Sequence, residues 1–507
     1  MNRITPVAAG EESGYLIKSS FDMLHHALPV RIAIITFATF TGIRLQYPQF
    51  MSSLFIRLLI VFTLFSCTNG GGSADRQKKK NSDSRPPAPR TDLANGTIVW
   101  PQTSLTGRKY ALYLPDSAST DSRYPVLIFL DPHAEGTLPL QQYRELADRY
   151  RFMLVGSLEM KNGMSSEDAT AIVSDLIQEA RIRLPADVSS ISLAGFSGGA
   201  KAALMAAEKN NGLSGVVYCG AAVSPYYLTA PVPSMGMTGM ADMNFSEVLS
   251  YHASLDTIRN FHTLFINNGK HEWPDAAAFE HAFLWCKTNQ CRISRRCEPG
   301  QLDSLLTYFY KLTDRQNDLY IREIGLRHLI NSFNGLYDTE KARTSLNKLV
   351  NSSGYKNRLS QVNEDLALES TYRNELQRSF NVRDIDWWKE KVRQLNASPK
   401  SQLNNRLLGY ISLGAYTLSR SSLDRHQLDA AGKYLMLYRT ADPDNSEWAF
   451  LSACLEAEKG NRNGVVENLS TAVRLGLKDA EKISNERLLS KMTNDPEIAA
   501  MIRKLER

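Results

Sequence analysis

The stretch that most restricts what this chain can fold into is residues 191–204, ISLAGFSGGAKAAL. An apolar run reads as a strand, a glycine-rich turn encloses Ser197, and an alanine-rich helix follows. A strand that turns sharply into a helix holds the turn residue at the carboxyl edge of a sheet. The free N–H groups and the dipole of the helix then lie beside it. Gly195 and Gly199 follow from the same geometry, because side chains there would clash in a tight turn. Gly-x-Ser-x-Gly recurs by chance, so the surroundings must decide what Ser197 does.

Those surroundings alternate between strand and helix from about residue 97. KYALYLP (109–115) and PVLIFLDP (125–132) read as strands, the second with the continuous apolar run of a buried central strand. QQYRELADRY (141–150) is a short amphipathic helix, and FMLVGS (152–157) the next strand. Ser165 and Asp168 form a capping box that opens a helix. Strand 189–195, the glycine turn, helix 200–210, strand 213–220, strand 234–240, helix 245–257 and strand 262–269 complete the pattern. Alternation of this kind predicts an α/β class with a mostly parallel sheet covered on both faces.

A serine hydroxyl needs a base, and the base needs an orienting acid. On a sheet of this type both follow on loops after later strands, in the order serine, acid, histidine. Asp242 follows strand 234–240 and His271 follows strand 262–269. Asp256 and Asp275 are rivals at a helix end and a helix start. His252, His262 and His281 fall on helices or before a strand, which leaves His271 best placed. Pro274 is expected at the first position of the next helix.

On FLDPHAEG, LAGFSGGA, GMADMNF and GKHEWP, residues 98–290 resemble the α/β-hydrolase superfamily, nearest its esterase and dienelactone-hydrolase-like branch. The resemblance implies that Ser197 attacks, His271 acts as general base and then acid, and Asp242 orients His271. The N–H of Gly198 is the first oxyanion donor. The second should come from the loop after strand 126–130, where Pro132 has no N–H, so His133 or Ala134 is expected to donate. No metal or organic cofactor is implied. The connection 221–233 is too short for a large lid, which suggests an open site and an exposed ester on a bulky molecule. Tyr226, Tyr227 and Trp273 are candidate pocket walls, Trp273 more plainly a packing residue.

Before this body lies a different kind of sequence. From Met51, MSSLFIRLLIVFTLFSC has a short basic start, an apolar run and a lipobox-like LFSC, which together resemble a bacterial lipoprotein signal (51–67). Lipidation at Cys67 and membrane anchoring in the bacterial cell envelope follow as expectations. Residues 1–50 then read as an over-extended start, although 32–43 could be a membrane segment. Residues 68–97, rich in Gly, Ser, Pro and charge, are a flexible tether.

After residue 300 the strand signals end, and Leu302, Leu305, Leu306, Phe309 and Leu312 begin a series of amphipathic helices. Tetratricopeptide-like spacing recurs over about 412–480, with Ala431, Leu435 and Pro443 and then Ala453, Gly460, Val465 and Ala472. Residues 301–507 therefore read as a helical domain following a 98–300 hydrolase domain, with helical repeats able to face a protein partner. The net charge of +6 is scattered and not interleaved with aromatics, so no nucleic-acid partner is expected. Cys286, Cys291 and Cys297 are the one local disulfide candidate, and their spacing fits no zinc site. The leading expectation is an exported, lipid-anchored serine hydrolase, most simply of carboxylic esters. The alternatives are a serine peptidase and a catalytically silent scaffold.

Overall fold

A computed structural model describes residues 93–507 except 120–121, 225–231, 259–260, 296, 399–400 and 506–507. These belong to one compact unit, Ala88–Arg507. Cys67, the signal-like segment, most of the tether, Tyr226 and Tyr227 lie outside the described residues.

Eight strands form one sheet: β1 (Ile98–Thr103), β2 (Lys109–Tyr113), β3 (Tyr124–Leu130), β4 (Met153–Ser157), β5 (Ala186–Phe196), β6 (Gly215–Cys219), β7 (Ser234–Gly239) and β8 (His262–Asn267). Their order across the sheet is β1-β2-β4-β3-β5-β6-β7-β8. β1 and β2 join antiparallel, and every pairing from β4 to β8 is parallel. The apolar run of β3 is explained by its place: Val126, Ile128 and Leu130 enter one core layer, Leu127 and Phe129 the other. A strand buried on both faces cannot alternate polar with apolar.

Helices α1 (Thr137–Tyr150), α2 (Ser166–Ile182), α3 (Gly198–Lys209), α4 (Phe245–Leu255) and α5 (Ala276–Ser294) cover the two faces. Ser165 caps α2, its hydroxyl oxygen accepting the Asp168 N–H at 3.0 Å. Helix α1 begins before the stretch its polar pattern marks, with Pro139 in the first turn, where a missing N–H costs nothing. At α5 the expectation for Pro274 is corrected. Asp275 is the cap and accepts the Ala278 N–H at 2.7 Å. Pro274 lies just outside the helix, its carbonyl accepting the Tyr143 hydroxyl at 2.6 Å.

The remaining helices are α6 (Pro299–Asp314), α7 (Leu319–Phe333), α8 (Glu340–Asn351), α9 (Ser353–Val382), α10 (Ile385–Asn396), α11 (Gln402–Asp424), α12 (Leu428–Ala441), α13 (Ser446–Glu458), α14 (Arg462–Arg474), α15 (Ala480–Asn485) and α16 (Pro496–Leu505). They share a core with the sheet. Tyr320 and Ile321 of α7 and Val362 of α9 join the layer that contains β3 and β5 residues. Helices α11 with α12, and α13 with α14, pack as consecutive pairs. Ala431, Leu435, Ala453, Val465 and Ala472 are buried there, and Gly460 turns between α13 and α14 with φ +71°. Cys291 pairs with Cys297, whereas Cys219, Cys286 and Cys454 are buried free thiols. Among the described residues, no helix is long and apolar enough to cross a membrane.

Candidate active site

Ser197 sits between the end of β5 and the start of α3 with φ 52° and ψ −119°. A residue with a side chain costs about 1–3 kcal/mol in such a conformation. Close packing on either side imposes it. A Cβ on Gly195 would lie 2.1 Å from the Gly199 carbonyl oxygen, and one on Gly199 would lie 1.9 Å from that of Leu130. The turn is fastened by the Ser197 N–H, which donates to the Cys219 carbonyl at 2.9 Å.

Asp242 follows β7 and His271 follows β8, and both meet Ser197. Nδ1 of His271 lies 2.9 Å from Asp242 Oδ1, and Nε2 lies 3.0 Å from Ser197 Oγ. The tautomer follows from the acid's other partner. Oδ1 of Asp242 already accepts the Asn244 N–H at 2.7 Å, so it acts as an acceptor and Nδ1 carries the proton. Nε2 is then the bare nitrogen that accepts the serine hydroxyl. Asp242 is only 1% exposed, while the His271 side chain is 19% exposed. Asp242 is shielded from water and His271 is partly open to it.

The rivals lie elsewhere. Asp256 contacts His262 Nε2 at 3.1 Å. Asp275 caps α5. Burial pushes His252 and His281 down to about 3, the His252 ring meeting His262 and the His281 ring stacking on Phe265.

A strand-to-helix turn bearing Ser197 after β5, Asp242 after β7 and His271 after β8, on a sheet ordered 1-2-4-3-5-6-7-8, decide the architecture. This is the α/β-hydrolase fold. No family model matches the chain, and no curated protein does. Solved structures similar to it include FphF, a fluorophosphonate-binding serine hydrolase of Staphylococcus aureus (15% identity, 38% of this chain and 99% of that one, TM-score 0.32). S-formylglutathione hydrolase FrmB from Staphylococcus aureus is another (15% identity, 38% and 96%, TM-score 0.33). An esterase of Pyrobaculum calidifontis is a third (13% identity, 39% and 85%, TM-score 0.31).

Around Ser197, His271 and Asp242 stand residues that the linear motifs do not mark. Gly220, at the end of β6, has φ +64°. A Cβ there would lie 2.9 Å from Asp242 Oδ2 and 3.3 Å from His271 Nδ1, inside the acid–histidine contact. Asn244 ties the same place together by donating from Nδ2 to the Gly220 carbonyl at 2.9 Å. Phe196 packs on the imidazole with ring centroids 4.8 Å apart.

The expected oxyanion donors divide. Gly198 opens α3 beside Ser197. His133 and Ala134 require a correction, because their N–H groups turn inward. His133 donates to Asp131 Oδ1 at 2.8 Å and Ala134 to the Asp131 carbonyl at 3.3 Å. Asp131, 2% exposed, organises the whole loop. A polar side chain from the loop after β4 stands beside Gly198 instead. A Cβ on Gly198 would lie 1.9 Å from Asn162 Oδ1, and the Asn162 N–H donates to the Pro132 carbonyl at 2.8 Å. Trp273 lies in the aromatic layer with Phe129 and Tyr143, which agrees with its reading as a packing residue. Among the described residues, no cluster of His, Cys, Asp and Glu gathers that could hold a metal ion.

Proposed function

We propose that this chain is a serine hydrolase of carboxylic esters. The observation that carries the reading is the continuous hydrogen-bonded line Ser197 Oγ–His271 Nε2, His271 Nδ1–Asp242 Oδ1. Ser197 Oγ attacks the acyl carbon as its proton passes to His271 Nε2. Asp242 stabilises the imidazolium and holds the ring in place. The oxyanion accepts the Gly198 N–H and, after rotation of its side-chain amide, Asn162 Nδ2. His271 then protonates the departing alkoxide, leaving an acyl-serine. Water attacks that ester with His271 again as base, releasing the acid and restoring Ser197.

The substrate in this reading is an exposed ester on a bulky molecule or polymer. The short connection between β6 and β7 supports it, since it leaves little chain for a lid there. We also infer that Cys67 carries a lipid anchor in a bacterial envelope, from the signal-like segment before it. Incorporation of an alkyne fatty acid into wild type but not Cys67→Ala tests the anchor. The chemistry is tested with a panel of acyl and aryl esters, acetylated sugars and peptides on wild type and Ser197→Ala. Ester turnover lost in Ser197→Ala is expected. Preferential peptide cleavage would make the chain a peptidase, and inertness of the folded wild type would make it a scaffold.

A further inference from the structure

Helix α9 carries a buried stripe at alternating three- and four-residue steps, including Tyr355, Val362, Leu376 and Phe380. Two members of the stripe are charged: Glu369, whose side chain is 2% exposed, and Arg373, 14% exposed. Arg406 of α11, 1% exposed, completes the group. Glu369 sits between the two guanidiniums, with Oε2 2.5 Å from Arg406 Nε and Oε1 2.6 Å from Arg373 Nη2.

What these arginines hold is the turn that bears Asp242. Arg406 Nη1 donates to the Met240 carbonyl at 2.7 Å, and Arg373 Nη2 donates to the Met243 carbonyl. The two carbonyls bracket Asp242 in the chain. The Arg406 guanidinium also lies 5.2 Å from the ring centroid of Phe245, the first residue of α4 after the turn. On its other side the turn is tied to the histidine loop, the Ala241 N–H donating to the Gly269 carbonyl at 3.1 Å.

Burying two guanidiniums with one carboxylate is an expensive way to pack a helix, and apolar side chains of similar volume would do it more cheaply. The cluster is not even saturated: among the described residues Arg406 Nη2, Arg373 Nε and Glu369 Oε1 have no hydrogen-bond partner, Glu369 Oε1 meeting Arg373 only as an ion pair. Its geometric product is one guanidinium N–H on each of the two backbone carbonyls, which no apolar side chain supplies. A carboxylate that orients a base must be fixed to a fraction of an ångström, since small misplacements of catalytic groups cost large factors in rate.

We propose that Arg373, Glu369 and Arg406 are positioning residues for Asp242, so that the helical region is a working part of the hydrolase centre. The proposal rests on the reading of Asp242 as the orienting acid. The groups facing Asp242 are His271, the buried Cys219 thiol and, through the turn, the two arginines with Glu369.

The test measures the rate of fluorophosphonate labelling of Ser197 against pH, in the full chain. The variants are Arg373→Met, Arg373→Lys, Glu369→Gln and Asp242→Asn, each checked for a cooperative melt. Loss of a positive charge alone would move the acid limb of labelling to higher pH, and loss of the Asp242 contact with His271 would move it to lower pH. Positioning therefore predicts that Arg373→Met labels at least about tenfold more slowly, with its acid limb moved to lower pH. Arg373→Lys, which keeps the charge and changes the reach and direction of the donor, moves the same way but less. An acid limb that is unmoved or moves upward, with labelling within about twofold of wild type, overturns the proposal. If neither arginine variant folds, Glu369→Gln decides, and wild-type labelling there overturns it. Wild-type labelling by Asp242→Asn instead refutes the underlying assignment of the acid.

Discussion

Trp273 Nε1 donates to Asp131 Oδ2 at 2.8 Å. This one bond ties the segment just after His271 to the loop after β3, whose N–H groups fold onto the same carboxylate. The segment that bears His271 and the loop after β3 are therefore parts of one hydrogen-bonded unit. Trp273→Phe keeps the ring in its aromatic layer and removes only the donor. It should cost about 1–3 kcal/mol, because a buried carboxylate oxygen loses a partner. Chemical denaturation of wild type and variant measures the difference.

Gly220→Ala places a methyl group where Asp242 and His271 meet, on a backbone with φ +64°. The variant should fold, since most of the sheet core is untouched, and label with fluorophosphonate at least about tenfold more slowly than wild type. An unchanged rate in the folded variant would show that the acid–histidine contact does not matter to the nucleophile.

Asn162 is exposed, so Asn162→Ala should melt close to wild type. As a side-chain oxyanion donor it should contribute about 10²–10³ to kcat on an aryl ester, with KM little changed. Steady-state kinetics separates this from a binding role, which would appear in KM.

His281 and His328 form a buried pair packed against Phe309, their ring centroids 5.5 Å apart. Burial pushes His281 down to about 3, and burial together with His281 pushes His328 well below the usual histidine range. A folded-state value below the unfolded one stabilises the fold above the unfolded value of about 6.5. That contribution is lost as pH falls from there toward 3, at up to about 1.4 kcal/mol per pH unit for each histidine. Stability should therefore drop steadily between pH 6.5 and pH 4. In His281→Phe, which retains the stacking on Phe265, the slope should be shallower. Thermal melts across that range read both.

The sequence makes the α/β layering and the three convergent residues legible because each lies at a strand end, where local pattern marks a boundary. Ser197, Asp242 and His271 can be ordered without knowing their distances. The start of α1 and strand β1 are less visible, since neither a capping side chain nor a clean apolar alternation announces them. Gly220 and Asn162 gain meaning only from what folds against them. The inward turn of the His133 and Ala134 N–H groups depends on the rotamer of Asp131. Glu369 and Arg373 do leave a trace, as two charges in an otherwise buried stripe. Their targets, the carbonyls around Asp242, are side-chain-independent and far away in sequence, so no pattern within 353–382 could name them.

The most direct test is intact-mass analysis after fluorophosphonate treatment, with the adduct mapped to its residue. A single adduct on Ser197, absent from Ser197→Ala and formed far more slowly in His271→Ala, is the expected result. A folded wild type that takes up no probe, or a Ser197→Ala chain that takes it up equally, would contradict the account.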